Sequence, residues 1–333
     1  MKKEKTSKVC IVDTVYTLLL YYLHCSTADF NSTFFFVSSG LPDYIIKKLP
    51  KYHFLKKRNS VISRCIFRII LGLFASLRWS FLRTKPIYAL DHLTYSSVLI
   101  GNKTYTLLED GPYAITYYYG GTFYKKNKHL RSFFIVRLMS DLIFGPLFLR
   151  PYGENKQCKE LILSAECEDL PELSGKIKHV RSLNDLWNNS DKEKKENILH
   201  LFNLTPKILS PLFEKSIIIF TQTFYVDGIL YEEEQIQLYQ NIIKTYPKEE
   251  ILLKTHPRDT IDYVKHFPNV AVFSEVVPFQ LLNLLNIKFK KAVTISSSSV
   301  LSFDYDIKID WLGTTIHPKI QEALGIIDIP KKL

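Results

Sequence analysis

The sequence predicts an α/β protein with two Rossmann-like domains. Short apolar runs rich in β-branched or aromatic residues alternate with helical patterns in both halves of the chain, and polar residues follow several of these runs directly. The chain has 333 residues, 46% of them hydrophobic, which is enough for two cores of ordinary domain size. We place the domain boundary between residues 190 and 191, so that the domains cover 1–190 and 191–333.

The first five elements establish the alternation. We predict strands at residues 9–12, 34–37 and 52–55, and helices at 15–24 and 42–48. Strands that alternate with helices in this way form a parallel sheet covered by helices on both faces.

Residues 60–82 form a long helical pattern with two different faces. The basic residues of one side are Arg64, Arg68, Arg78 and Arg83, and the apolar residues of the other are Ile66, Ile69, Ile70, Leu73 and Leu77. One interpretation is a core helix with a solvated basic face. The alternative is a basic amphipathic helix that lies on an anionic membrane, with Trp79 at the interface.

The rest of the first half contains three strand patterns and an irregular stretch. We predict strands at residues 87–90, 98–100 and 105–108, and the last of these runs into Glu109-Asp110-Gly111. Residues 117–152 are interpreted as an insertion, used for a dimer or membrane contact or for internal packing.

The second half repeats the alternation more clearly, with predicted strands at residues 216–220, 249–255, 270–273, 291–295 and 307–312. The first strand is followed by Gln222, and the second, which includes Lys254, runs into His256-Pro257. Pro257 suits the first position of a helix because its missing N–H would lack a partner there anyway. A helix opens at Pro278-Phe279, and the fourth strand runs into Ser296, Ser297, Ser298 and Ser299.

Composition limits the function classes. The net charge of +11 favours nucleic acid, an anionic membrane or an anionic substrate, but no zinc-finger spacing and no RNA-recognition aromatic signature occurs, so we do not expect a nucleic-acid partner. The odd number of cysteines (Cys10, Cys25, Cys65, Cys158 and Cys167) without a C-x-x-C pair favours reduced thiols in the cytosol. No stretch reaches the ~20 apolar residues of a spanning helix, and a signal peptide is not expected.

Functional groups of α/β folds lie at the ends of strands. Three polar motifs occupy such positions here: Glu109-Asp110-Gly111, His256-Pro257, and the serines 296–299. Serines at a helix N-terminus offer hydroxyl and N–H groups to a phosphate. His256 can hydrogen-bond that phosphate as it leaves, and Asp110 can accept the proton of an attacking hydroxyl. Singly, each motif has a structural explanation, since Asp-Gly is a turn signal and serines cap helices.

A dinucleotide site is excluded by motif evidence. No G-x-G-x-x-G follows the first strand and no G-x-x-x-x-G-K-[ST] occurs, and the whole chain has 12 glycines.

The acidic, His-Pro and serine motifs resemble those of the bacterial sialyltransferases. In order and length the chain is most similar to the lipooligosaccharide and capsule sialyltransferases of glycosyltransferase family 52. The resemblance is strongest over residues 217–312 and weak between about 120 and 210. It implies a GT-B fold with two Rossmann-like domains facing a central cleft, CMP-sialic acid as donor, a terminal galactose as acceptor, inversion at the anomeric carbon and no metal.

The resemblance also implies residue roles. His256 would assist the departure of CMP, Ser296 to Ser299 would hold its phosphate, and Pro278 and Phe279 would help to form the cytidine pocket. Other donor-side candidates at the strand ends are Gln222, Lys254 and Pro257. Asp110 would be the general base, with Asp227 or one of Glu232, Glu233 and Glu234 as the alternative, although three glutamates at a helix start also fit a dipole role.

Other functions remain open at this stage. The chain could use a different nucleotide sugar, because the fold does not fix the donor, or be a non-catalytic, membrane-associated protein of glycan assembly. We expect a cytoplasmic location with peripheral contact to the anionic inner face of the cytoplasmic membrane. The family resemblance adds a possible homodimer.

Overall fold

The computed structural model describes residues 6–56, 61–112, 114–120, 150–167, 169–297, 299–300, 303 and 305–327. The chain divides into two compact units, Met1–Leu201 and Phe202–Leu333. Most of the predicted insertion, residues 121–149, lies outside the described residues, as does Ser298.

The first unit contains one seven-stranded sheet in the order β3-β2-β1-β4-β5-β6-β7, with every pair parallel. Its strands are β1 (Lys8–Ile11), β2 (Thr33–Val37), β3 (Tyr52–Phe54), β4 (Ile87–Ala89), β5 (Tyr105–Leu108), β6 (Cys158–Leu163) and β7 (Ile177–Val180). Its helices are α1 (Val15–His24), α2 (Thr27–Ser32), α3 (Asp43–Ile46), α4 (Val61–Arg78), α5 (Ser96–Ile100), α6 (Ala114–Gly120), α7 (Leu183–Asn188) and α8 (Lys192–Leu201), with 3₁₀ turns at Ser80–Arg83 and Pro171–Leu173.

The centre of this sheet is formed where the sequence is most apolar. Three residues of β1 are buried, and α1 begins at Thr14, whose side chain accepts the Thr17 N–H. The loop after β1 is held by Asp13, which accepts hydrogen bonds from the Ser38 hydroxyl and the Gly40 N–H. A Cβ on Gly40 would lie 2.0 Å from the Asp13 carbonyl oxygen, so only glycine permits this approach.

Helix α4 does not pack as the core-helix interpretation predicts, and it departs from the membrane interpretation at Trp79. The side that meets the core includes Leu71 and Ala75, and the helix is followed by the buried Trp79. Trp79 packs edge-on against Phe36 rather than at an interface, which corrects that part of the membrane interpretation. The isoleucine side is exposed, so it is not the core face. Among the described residues, no helix is long and apolar enough to cross a membrane.

Three further predictions for the first unit need correction. Residues 98–100 are not a strand but the end of the buried helix α5, which stops at Gly101 with φ 55°. Strand β7 was missed because its two apolar residues, Ile177 and Val180, are separated by Lys178 and His179 and form neither an alternating nor a continuous apolar run. Helix α8, which the predicted boundary assigned to the second domain, belongs to the first unit, where the Lys194 ammonium donates to the carbonyls of Leu23 and Cys25.

The second unit contains a five-stranded parallel sheet in the order β10-β9-β8-β11-β12. Its strands are β8 (Ile217–Phe220), β9 (Ile251–Lys254), β10 (Ala271–Phe273), β11 (Lys291–Thr294) and β12 (Lys308–Trp311). Its helices are α9 (Pro206–Leu209), α10 (Glu232–Ile243), α11 (Tyr263–His266), α12 (Phe279–Leu284) and α13 (Pro318–Leu324), with 3₁₀ turns at Ser210–Glu214, Lys248–Glu250 and Thr314–Ile316. All five predicted strands are confirmed.

The order of strands locates the functional edge of each sheet. The direction of winding reverses between β1 and β4 in the first unit and between β8 and β11 in the second. Ligands of open α/β sheets bind outside the carboxyl ends of the strands at such a switch point. The predicted polar motifs therefore stand at or beside these points.

One local prediction in the second unit is wrong. Pro257 does not open a helix, because Pro257 and Arg258 form a turn, residues 259–262 are irregular, and α11 begins only at Tyr263, after its N-cap Asp262. A turn in which the Asp259 N–H donates to the His256 carbonyl replaces the first helical turn. His256 is therefore held by a tight loop and not by a helix N-terminus.

Candidate functional site

His256 follows β9 at the carboxyl edge of the second sheet, and two hydrogen bonds fix its position. Its backbone N–H donates to the Thr221 hydroxyl at 2.9 Å, and its ring Nδ1 accepts the Arg258 N–H at 3.1 Å. An imidazole that accepts at Nδ1 carries its proton on Nε2 when it is neutral. The loop therefore presents His256 with an N–H that can be donated to a ligand.

The pKa of His256 is lowered from its ordinary value, first by burial and then by the positive charge of Arg258. Both causes disfavour imidazolium. The neutral ring therefore predominates at pH 7, and its Nε2–H remains a hydrogen-bond donor there.

A buried amide ties the loops around His256 together. The Gln235 side chain, which is fully buried on α10, accepts the Tyr225 N–H and donates to the Gln222 carbonyl and to Asp259. Asp259 also accepts from the hydroxyls of Thr221 (3.1 Å) and Tyr263 (2.9 Å). The same Thr221 hydroxyl accepts the His256 N–H, so this network fixes the position of His256 at the end of β9.

Lys254 lies two residues before His256 and is 6% exposed. Its ammonium donates to the carbonyls of Thr255 (2.9 Å) and Glu275 (3.2 Å) and lies over the Phe273 ring. Burial lowers the pKa of Lys254 to about 8. An ammonium has three donors, so one more hydrogen bond, such as one to a phosphate oxygen, is compatible with this arrangement.

Asp227 lies in the loop after β8 and forms an ion pair with Arg258, with Nη1 and Oδ1 3.0 Å apart. The Thr223 hydroxyl donates to the other carboxylate oxygen at 2.5 Å. The hydrogen bond from Thr223 and the charge of Arg258 lower the pKa of Asp227. This carboxylate is ionised at pH 7, but it is a weak proton acceptor in this pairing.

Glu234, the other acidic candidate of the second unit, caps α10. Its Oε2 accepts the Tyr231 N–H at 2.9 Å, and its Oε1 receives the Lys319 ammonium at 2.6 Å. The Lys319 hydrogen bond is the first cause of a lowered pKa. These contacts, together with the helix dipole, account for Glu234 at this position without a catalytic role.

The serine run follows β11, directly across the switch point from β8. The Ser297 N–H donates to the Thr294 hydroxyl at 2.8 Å, and the Ser299 N–H donates to the Ser297 hydroxyl at 3.3 Å. Ser296, Ser297 and Ser299 are all half-buried, so this turn is accessible from outside.

The remaining residues that were predicted to bind the sugar-nucleotide donor differ in their exposure to solvent. Pro278 is buried as the N-cap of α12, and Phe279 packs edge-on against Phe220 and Phe303. Pro257 is exposed on the His256 loop. In the part of the chain that the structure describes, no group of three or more His, Cys, Asp or Glu residues is arranged to hold a metal ion.

In the first unit the acidic motif separates into an inner and an outer carboxylate. Glu109 is buried, accepts the Ser164 N–H at 2.8 Å and is hydrogen-bonded by the Tyr16 hydroxyl. Burial raises the pKa of Glu109 to about 7, against the opposing effect of these hydrogen bonds. Asp110, whose side chain is 24% exposed, is the outer member of the pair.

Asp110 has a histidine partner that the sequence analysis missed. Its Oδ2 lies 3.4 Å from Nε2 of His92, and its Oδ1 accepts the Thr14 hydroxyl at 3.0 Å. The His92 ring stacks on Tyr152, with centroids 5.4 Å apart and planes 12° apart. The same strand-end rule that identified Asp110 would have found His92, which comes shortly after β4.

Tyr152 itself is held by a second buried carboxylate. Asp91 accepts the N–H groups of Tyr152 (2.7 Å) and Gly153 (2.8 Å) and the hydroxyl of Tyr105. Tyr152 has φ 57°, and these bonds stabilise that unusual backbone. The carboxyl edge of the first sheet is thus a rigid group of acids, an imidazole and an aromatic ring.

The two edges differ in the chemistry they offer. The edge of the second sheet presents an imidazole N–H, a lysine and a serine turn, which together suit a phosphate. The edge of the first sheet presents a half-exposed carboxylate beside an imidazole, which suits a proton transfer from a hydroxyl.

Comparison with known proteins places the chain in a family. A sequence model described as "Glycosyltransferase family 52" matches residues 83–320. An uncharacterized protein of Haemophilus influenzae is 31% identical over 313 residues, which are 93% of this chain and 90% of that protein.

Three solved structures share the fold at low identity. A 2,6-sialyltransferase of Photobacterium sp. JT-ISH-224, solved with CMP and lactose, has a TM-score of 0.57 at 12% identity and covers 91% of this chain and 70% of its own. An α/β-galactoside α-2,3-sialyltransferase of Photobacterium phosphoreum has a TM-score of 0.55 at 12% identity, and the match covers 92% of this chain and 90% of that one. The GT-B domain of a Photobacterium damselae sialyltransferase has a TM-score of 0.52 at 13% identity, and the match covers 91% of this chain and 89% of that one. The predicted GT-B fold is confirmed.

Proposed function

Because the chain belongs to glycosyltransferase family 52, we propose that it is a sialyltransferase. The donor is CMP-sialic acid, and the acceptor is a terminal galactose on a bacterial surface glycan, a lipooligosaccharide or a capsule. The structural relatives solved with CMP and lactose, or described as acting on galactosides, support these ligand classes.

The observation that carries the proposal is the fixed tautomer of His256. The Arg258 N–H occupies Nδ1, so Nε2–H is left to act on a ligand at the switch point. CMP-sialic acid joins a sugar to a single phosphate, and that phosphate must leave with the electron pair of the broken bond. A donor N–H on the phosphate oxygen stabilises the charge that develops there.

The reaction is a single displacement. The oxygen of the galactose hydroxyl forms a bond to the anomeric carbon of sialic acid, and the bond between that carbon and the phosphate oxygen breaks. CMP takes the electron pair, and its phosphate oxygen accepts a hydrogen bond from the Nε2–H of His256. Attack opposite the leaving group inverts the anomeric carbon.

The hydroxyl proton goes to a carboxylate, for which we name Asp110 first. Asp110 is half-exposed beside His92, whereas the pKa of Asp227 is lowered by Thr223 and Arg258. Asp227 and Glu234 are the alternatives in the second unit.

We also propose that the reaction needs no metal ion. At the strand end, the Lys254 ammonium would supply positive charge and the His256 N–H a hydrogen bond, which together would stabilise the phosphate without a metal cation. Serines 296 to 299 would hold the same phosphate, with Phe279, Pro278, Gln222 and Pro257 nearer the nucleoside. The enzyme is placed in the cytoplasm on the inner face of the cytoplasmic membrane, as a possible homodimer.

The test has two parts. Nucleotide binding is measured by thermal shift with CMP, CDP, UDP and GDP at equal concentrations, and we expect CMP to raise the melting temperature most. CMP release is then measured with CMP-sialic acid and a lactose-type acceptor, with and without EDTA, and EDTA should leave the rate unchanged.

The alternatives give different results. A melting temperature raised by UDP and not by CMP would identify another nucleotide sugar as the donor. Vesicle binding without any nucleotide response would identify a non-catalytic glycan-assembly protein.

A further inference from the structure

The net charge of the chain is concentrated in one segment of the first unit. Residues 44–90 contain 11 of the 44 Lys and Arg residues and none of the 33 Asp and Glu residues, so the remainder of the chain has 33 of each sign. The whole excess of +11 therefore belongs to this segment, which covers β3, α4 and β4.

The same segment exposes a row of large apolar side chains on α4. Five residues of this row are between 51% and 74% exposed, namely Ile66, Ile69, Ile70, Phe74 and Leu77. Their spacing of three or four residues puts them on one face of the helix. We call this face the α4 stripe; a stripe of this kind on a soluble protein marks an interaction site.

The side of α4 opposite the stripe faces the protein. Leu71 and Ala75 are buried in the core of the first unit, and the Arg68 guanidinium donates to the Thr94 carbonyl. The helix is thus anchored by one apolar face, and its second apolar face is exposed among the residues that the structure describes.

The charge decides between the two classes of partner. A second copy would bring an identical excess of positive charge against the first, and like charges across an interface oppose association. An anionic lipid surface attracts basic residues and accepts apolar side chains between its headgroups. Lys47, Lys56, Arg78 and Arg83 are exposed in the same segment.

We propose that the α4 stripe and the basic residues of 44–90 form the membrane-binding surface, with α4 lying in the headgroup region of an anionic bilayer. The inference deepens the proposed function, because it names the element that brings the enzyme to a membrane-linked acceptor. It corrects the sequence-based interpretation, since the isoleucine side and not Trp79 meets the lipid.

The experiment is co-sedimentation of the full chain with vesicles of phosphatidylcholine, alone or with about 30% phosphatidylglycerol. We expect binding to the anionic vesicles only, and weaker binding as salt rises, because basic residues lie within a Debye length of the surface. The variant I66Q/I70Q/L77Q should reduce the partition coefficient at least about ten-fold. Replacement of Lys47, Lys56 and Arg83 by glutamine should reduce it by a similar factor.

The matched control is I177Q/F213Q/V264Q, whose three positions are 57%, 59% and 58% exposed but lie outside the segment. This control should bind vesicles as the wild type does. All variants replace exposed side chains, and unchanged melting temperatures would show that they fold.

Three outcomes overturn the proposal. The first is a wild type that does not bind anionic vesicles, and the second is an α4 variant that binds them within two-fold of the wild type. The third is an α4 variant that converts a dimer to a monomer without loss of vesicle binding. The last result would assign the stripe to a second copy. Activity on a soluble galactoside is measured in parallel, so that a failure of the catalytic proposal is seen separately.

Discussion

The carboxyl edges of the two sheets each hold a histidine, but in opposite settings. At the second sheet, Nδ1 of His256 accepts a backbone N–H and the charge next to it is Arg258. At the first sheet, Nε2 of His92 faces the carboxylate of Asp110. The first arrangement leaves an N–H that can be donated to a ligand, and the second exposes a carboxylate that can accept a hydrogen bond. The two sheet edges therefore offer different chemistry, and the proposed function assigns a different role to each.

The largest effect is expected from removal of the hydrogen-bond donor to the leaving phosphate. We expect His256→Ala to lower kcat by about 10²–10⁴, because the leaving phosphate loses its donor. His266→Ala, at an exposed position on α11, is the matched control and should retain full activity. Steady-state CMP release measures both; a His256→Ala enzyme within three-fold of wild type would remove this residue from the mechanism.

The second-largest effect on kcat is expected from the carboxylate that accepts the hydroxyl proton. We expect Asp110→Asn to lower kcat by about 10²-fold or more, because the amide cannot accept the hydroxyl proton. Asp227→Asn and Glu234→Gln are the comparison variants, and each should stay within about ten-fold. If Asp227→Asn or Glu234→Gln lowers kcat most instead, the proton acceptor belongs to the second unit, as His256 does. The assignment of the proton acceptor to the first sheet would then be wrong.

A smaller effect concerns the charge of Lys254. With its pKa near 8, this lysine is protonated below that pH and neutral above it, so its attraction for a phosphate is lost as the pH rises. We expect the Kd for CMP to increase about five- to ten-fold between about pH 7 and pH 9.5. The lowered pKa of His256 keeps its titration below this window.

Lys254→Met supplies the control for that measurement. Its CMP affinity should be weaker at neutral pH and nearly constant across the same range. Calorimetric titration at several pH values gives both curves, and parallel curves for the two proteins would show that Lys254 does not contact the phosphate.

The strands of the second sheet and the position of His256 were predictable because buried apolar runs end abruptly in polar residues there. Residues 98–100 were misassigned because a three-residue apolar run does not distinguish a buried helix from a strand. The outward face of α4 was not predictable, because Leu71 and Ala75, which pack in the core, lie on the same side of the helix as the basic Arg68.

The supports of the site were less predictable than its central residues. Gln235 meets Gln222, Tyr225 and Asp259 across 10 to 24 residues of sequence, and no local pattern encodes such contacts. The acidic triplet was found, but its division into a buried Glu109 and an outer Asp110 depends on Tyr16 and Ser164, which come from other elements.

The concentration of charge in residues 44–90 has a kinetic consequence. The basic and acidic residues outside this segment are equal in number, so residues 44–90 are the source of the net charge that an anionic surface attracts. We expect this attraction to bring segment 44–90 to the surface first. Ionic strength should therefore act mainly on the rate of association with the membrane, and substitutions in the α4 stripe should act mainly on the rate of dissociation.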